Sequence, residues 1–186
     1  LTSQHNFLFN PEEWLGDGTI TFNEFGHGLK FYTHWKVFDT SKESVSCAQE
    51  IEVEGLMDKT QNKFTLSNIK AGTFAITLEN ESLGKVVGKG VMDEKTVAWE
   101  FSNKELGFEG FEIYELQEDG NYITRGEYVS IDQLRTIIEG KIWKKAVKNN
   151  KSASSDAEKI QPFEVSEDNP QSQEDPEVEE EPPENF

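Results

Sequence analysis

Few residues in this chain have the chemistry for catalysis or metal binding. The histidines are His5, His27 and His34, and the one cysteine is Cys47. His27 and His34 are separated by an odd number of positions, so on one strand they face opposite ways. Neither lies beside the cysteine, and no D-x-D-x-D-G calcium loop occurs. Cys47 sits in an alternating row with Val45 and Gln49, the setting of an inert packed thiol. There is no G-x-S-x-G elbow. Gly84, Gly88 and Gly90 read G-x-x-x-G-x-G, the reverse of the dinucleotide fingerprint. The expectation is therefore no metal, no cofactor and no catalytic nucleophile.

Carboxylates, aromatic alcohols and arginines are the better candidates. Glu112 shares a face with Tyr114, and a buried Glu with a raised pKa could act as acid or base. Thr33 and Trp35 alternate with Phe31 and Val37. Gln49 lies between Cys47 and Ile51, Tyr128 lies near Thr124, and Thr136 lies between Leu134 and Ile138. A polar side chain facing a dry core costs ~1–3 kcal/mol unless it is partnered, so each is bonded locally or faces a wet cavity. Arg125 and Arg135 are the chain's arginines. Either could hold a ligand carboxylate bidentately from inside, or Arg125 could pair with a neighbouring strand's Glu outside. The expected ligand-binding set is Trp35, Gln49, Trp99, Glu112, Tyr114, Arg125, Tyr128 and Thr136.

The elements that carry these residues repeat with period two. In Val45–Glu54, Val45, Cys47, Gln49, Ile51 and Val53 line one face and Glu50, Glu52 and Glu54 the other. Thr73–Leu78 and Thr96–Phe101 repeat the pattern. Weaker runs are Gly18–Phe25, Leu29–Phe38, Lys63–Asn68, Lys85–Met92, Phe108–Leu116, Tyr122–Ser130 and Leu134–Lys144, with a hairpin turn at Glu118-Asp119-Gly120-Asn121. Ile131–Lys148 could start as a helix, but Thr136-Ile137-Ile138 and Gly140 favour a closing strand. Asn10 and Pro11 predict a short helical turn over Asn10–Leu15. About ten strands at this spacing predict an all-β fold, a single antiparallel meander closed into a barrel. A barrel that wide is expected to keep an internal cavity.

Composition sets the limits. Of the 186 residues 36 are acidic and 18 basic, a formal charge of −18, which disfavours nucleic acid and anionic lipid partners. A single cysteine excludes a disulfide scaffold, and no apolar run reaches the ~18 residues of a spanning helix. From residue 149 onward the chain has 12 acids against Lys151 and Lys159, so −10 of the charge lies there, with five of the six prolines. A disordered acidic tail over 149–186 is expected behind a barrel domain over 1–148. A leader removed before Leu1 would leave no trace, so the compartment is open, with the cytoplasm favoured.

The opening Trp14-Leu15-Gly16-Asp17-Gly18 resembles the W-x-G-x-G start of lipocalin-like, calycin-type barrels, and Gly140-Lys141-Ile142-Trp143 is similar to the way such barrels close. The ten-strand forms, fatty-acid-binding-like or nitrobindin-like, fit the strand count best. The resemblance runs from Trp14 to about Lys145 and implies a small hydrophobic ligand inside the barrel. Nitrobindin-like barrels hold haem through a late-strand His, and here no His follows residue 34. The expected function is binding of a small apolar or amphipathic molecule in the barrel. The alternative is a non-enzymatic protein-interaction module using the barrel surface or the acidic tail, and an isomerase or dehydratase acting through Glu112 is a third reading.

Overall fold

The computed structural model describes residues 5–23, 26–41 and 43–146, and the expected tail lies outside them. Ten strands follow one another: β1 (Glu13–Phe22), β2 (Leu29–Thr40), β3 (Ser44–Val53), β4 (Thr60–Lys70), β5 (Thr73–Asn80), β6 (Gly84–Met92), β7 (Thr96–Asn103), β8 (Phe108–Leu116), β9 (Tyr122–Val129) and β10 (Arg135–Lys144). Each pairs antiparallel with the next, and β10 closes on β1 from Trp14 opposite Lys144 to Phe22 opposite Thr136. Closure leaves no unpaired sheet edge. The alternation of apolar and polar residues is the cause of this geometry, since one face of every strand points into the barrel.

One local expectation fails. No helix forms over Asn10–Leu15. A single turn, closed by Asn10 N–H donating to the Asn6 carbonyl at 3.2 Å, comes earlier, and β1 is already extended at Glu13. The pairing of Trp14 with both Trp35 and Lys144 overrides the helix-start signal of Asn10-Pro11. The first strand therefore includes the W-x-G-x-G residues. Gly16 and Gly18 face inward. A Cβ at Gly16 would stand 2.6 Å from Ile142 Cγ2, and one at Gly18 would stand 2.9 Å from the Phe31 ring. The glycines are where neighbouring side chains lie flat on the backbone.

The interior holds two apolar clusters. The larger joins Phe7, Trp14, Trp35, Phe64, Trp99, Phe101 and Tyr122 with aliphatic neighbours. Phe7, from the segment preceding β1, packs its ring 5.4 Å from Trp35, 4.8 Å from Tyr114 and 5.5 Å from Tyr122. Edge and offset ring contacts of this kind add to area burial worth ~1.5–3 kcal/mol per large side chain. The cluster plugs the end where β1 begins and β10 ends, and along β5–β8 it continues through Val86, Phe101 and Phe108 to the other end. The smaller cluster is Ile20, Phe31 and Val53, with Phe22, Leu29, Ile51 and Ile138 half-buried beside it. It lies at the opposite end, the mouth, on the side where β1 turns into β2.

Candidate functional site

Between the two clusters lies a band of buried polar side chains: Thr33 from β2, Gln49 from β3, Asn62 from β4, Glu112 from β8 and Thr124 from β9. Strand register brings them together. Gln49 stands opposite Asn62, and Glu112 stands opposite Gly126 on one side and Trp99 on the other. Asn62 Nδ2 donates to Gln49 Oε1 at 2.9 Å, and Asn80 Nδ2 donates to Asn62 Oδ1 at 2.9 Å.

Glu112 is the centre of the band. The Tyr114 hydroxyl donates to its Oε2 and the Tyr128 hydroxyl to its Oε1, each at 2.5 Å. Burial pushes the Glu112 carboxyl above its ordinary range, and the two tyrosine hydrogen bonds partly oppose that push. Burial and the adjacent carboxylate raise both tyrosines well above their ordinary value. Every lysine and arginine among the described residues is exposed, so no side-chain cation neutralises Glu112. The Thr33 hydroxyl oxygen, also buried, has no hydrogen-bond partner among the described residues.

A cavity of about 30 Å³ adjoins this band and is bounded by Thr33, Gln49, Glu112, Tyr114 and the mouth residues Phe31 and Ile138. It has room for about one water molecule. Among the described residues this interior cavity is far smaller than the wide one expected from the strand count. Aromatic rings fill the space above inward glycines instead: Phe74 over Gly90, Tyr128 over Gly110, and Phe31 over Gly18 and Gly140.

The expected ligand set divides accordingly. Gln49, Glu112 and Tyr114 line the cavity, and Tyr128 reaches it through Glu112. Trp35 and Trp99 are packed on the plugged side, with ring centroids 6.3 Å apart and Trp99 stacked 5.0 Å from Tyr114. Thr136 is half-buried on the inward row of β10, opposite Tyr128, nearer the mouth than the cavity. Arg125 is placed elsewhere. It is exposed on the outer face, opposite Ile113 and Glu139, because Thr124 and Gly126 take the inward positions of β9. Arg135 is also outside and pairs with Glu127 at 2.8 Å. Neither arginine can hold a ligand carboxylate in the barrel.

Thr33 stands with Trp35 among the polar and aromatic residues read from the sequence and Thr124 lies near Tyr128, whereas Asn62 carries no sequence signal, because it precedes the run read as β4. Among the remaining candidates, His34 pairs with Glu13 at 2.8 Å outside the barrel. Burial pushes the Cys47 thiol up to about 12, so it is no nucleophile near neutral pH. The described residues contain no group of three metal-ligating side chains, and no helix among them is long and apolar enough to cross a membrane.

No family model matches the chain, and no curated protein matches it. Among solved structures, it is similar to the S-type phycobiliprotein lyase CPES from Guillardia theta. The TM-score is 0.57 at 9% identity, over 75% of this chain and 90% of that one. At that identity the likeness carries the fold alone. It assigns the chain to no family.

Proposed function

We propose that the mouth half of the barrel binds a small apolar or amphipathic molecule, with the Glu112 band as its polar floor. The observation that carries this reading is the buried, hydrogen-bonded carboxylate beside a cavity into which an unpartnered Thr33 hydroxyl faces. A barrel that served only as a rigid scaffold would gain from apolar residues at these positions, because burying a carboxyl group opposes folding more than burying an apolar side chain of similar size. Apolar walls with a few convergent polar groups are the usual make-up of a small-molecule site.

Entry requires Phe31 to move. Its ring lies over Gly18 and Gly140, where no Cβ blocks a rotation, and it is bordered by the half-buried Leu29, Ile51 and Ile138. Swinging the ring toward the mouth extends the cavity along the glycine floor.

Nile red, a neutral apolar dye, tests this. The full chain should bind it with one saturable site, and Ile51→Trp, which fills the mouth, should abolish binding without unfolding the barrel. An unchanged titration in Ile51→Trp contradicts the reading.

One observation favours the interaction-module alternative. The outer face of β5–β8 has a groove of about 850 Å³ floored by Ala75, Val91, Ala98, Phe111 and Ile113 and flanked by Lys70 and Lys89. Under that reading Val91→Glu, not Ile51→Trp, removes the dye signal.

A further inference from the structure

Resting on the reading that the mouth half is a binding site, we infer that its ligand carries an ammonium head or a comparable cationic N–H group seated on Glu112, and not a carboxylate. Three observations converge. Each Glu112 oxygen already accepts one tyrosine hydrogen bond, which fixes the carboxylate plane and leaves acceptor capacity on both oxygens. The Thr33 hydroxyl, more than nine-tenths buried and on the same cavity, offers a further unused acceptor. No lysine or arginine among the described residues reaches the interior.

An ammonium group has three donors and no acceptor, which matches two carboxylate oxygens and a hydroxyl. A ligand carboxylate meets the opposite situation. It would lie against Glu112 with no cation between them, and one of the two acids would have to stay protonated. The inference therefore separates this barrel from fatty-acid carriage, which the resemblance to fatty-acid-binding-like forms implies and which the outward Arg125 and Arg135 do not support. Burying an ion pair also has a desolvation cost, so the geometry predicts discrimination between heads more than high affinity.

The probes are octylammonium, octanol and octanoate, competed against Nile red on the full chain near pH 7 and at about 150 mM salt, where surface charge is screened. The expected order is octylammonium, then octanol, then octanoate, with about tenfold or more between the first and last. Glu112→Gln should bring octylammonium down to octanol and leave octanol unchanged. Octanoate competing as well as octylammonium, with octanol also competing, overturns the inference and leaves the binding reading standing. Failure of all three probes and of Nile red itself overturns both. An undiminished ammonium preference in folded Glu112→Gln overturns the seat on Glu112. If that variant does not fold, Thr33→Val replaces it. It should weaken octylammonium several-fold and spare octanol, and an equal loss for both overturns the inference.

Discussion

The two ends of the barrel are built from the same strands and differ in how they are finished. At the plugged end, Phe7, Trp14 and Trp35 are 0–2% exposed, and the connections are fastened. Asp93 Oδ1 accepts from the backbone N–H groups of Lys95 and Thr96, His5 bridges the Tyr122 hydroxyl and the Asp93 carbonyl, and Gln117 N–H donates to the Asn121 carbonyl. At the mouth, Ile20, Phe31 and Val53 keep 5–8% exposure. The connections there are hydrogen-bonded as well, with Asn103 Oδ1 accepting from the backbone N–H groups of Glu105 and Leu106 and Asn80 Oδ1 from that of Leu83, but they also carry bare apolar side chains: Leu56 and Met57 after β3, Leu106 after β7 and Ile131 after β9. The Glu112 band divides the two. Ring packing is denser on the Phe7–Trp14–Trp35 side of the band than at Ile20, Phe31 and Val53, so a substitution's effect on stability depends on its side of the band.

Ring removal should break the comparison most visibly. Trp35→Ala, in the plugged end, should lose ~3–5 kcal/mol of stability in urea unfolding. Phe31→Ala should lose only ~1–3 kcal/mol, because the loosely covered mouth can relax or admit water. It should also take up Nile red more readily than the wild type. Equal losses at the two positions would erase the distinction.

A smaller, pH-dependent effect should mark the band. The folded pKa of Glu112 lies above its ordinary value of 4.5. The stability associated with the protonated carboxyl is therefore complete below that value and is lost as pH rises through the folded pKa. The melting temperature of Glu112→Gln minus that of the wild type should grow from about pH 4.5 upward and then level off. A difference that is flat or falls with pH contradicts the burial of an ionisable group there. Taking the difference cancels exposed acids such as Glu13 and Glu50, whose lysine partners lower their pKa.

The smallest effect belongs to the mouth connections. Met57 is 99% exposed, so Met57→Ser should leave thermal stability within ~0.5 kcal/mol. A larger change would place this side chain against a surface within the folded chain.

Much of this arrangement is legible in the sequence, because period two survives wherever one face is buried. Val45–Val53, Thr73–Leu78 and Thr96–Phe101 alternate as read, and Gly120, at φ 81°, makes the turn predicted between Glu118 and Asn121. The pattern fails where glycine occupies inward positions. β1 begins at Glu13 instead of Gly18 because Gly16 and Gly18 break the apolar row while still facing in. Arg125 was assignable to either face for the same reason, since Gly126 gives no side-chain signal. The cavity size was not legible. Strand count sets the width of the barrel, whereas the space left inside depends on which rings cover which glycines, as Phe31 does across Gly18 and Gly140. The Glu112 band is a cross-strand property, joining residues as distant in sequence as Thr33 and Glu112. Gln49, Glu112, Tyr114 and Tyr128 are each legible on their own strands, but their meeting in one band is not.

The most direct test uses isoleucine methyl NMR on the full chain during titration with octylammonium. Ile20, Ile51 and Ile138 at the mouth should shift in a saturable manner, while Ile76 in the plugged end and Ile113 on the outer groove stay still. Shifts centred on Ile113, or none at the mouth when the ligand is saturating, would contradict the assignment of binding to this end of the barrel.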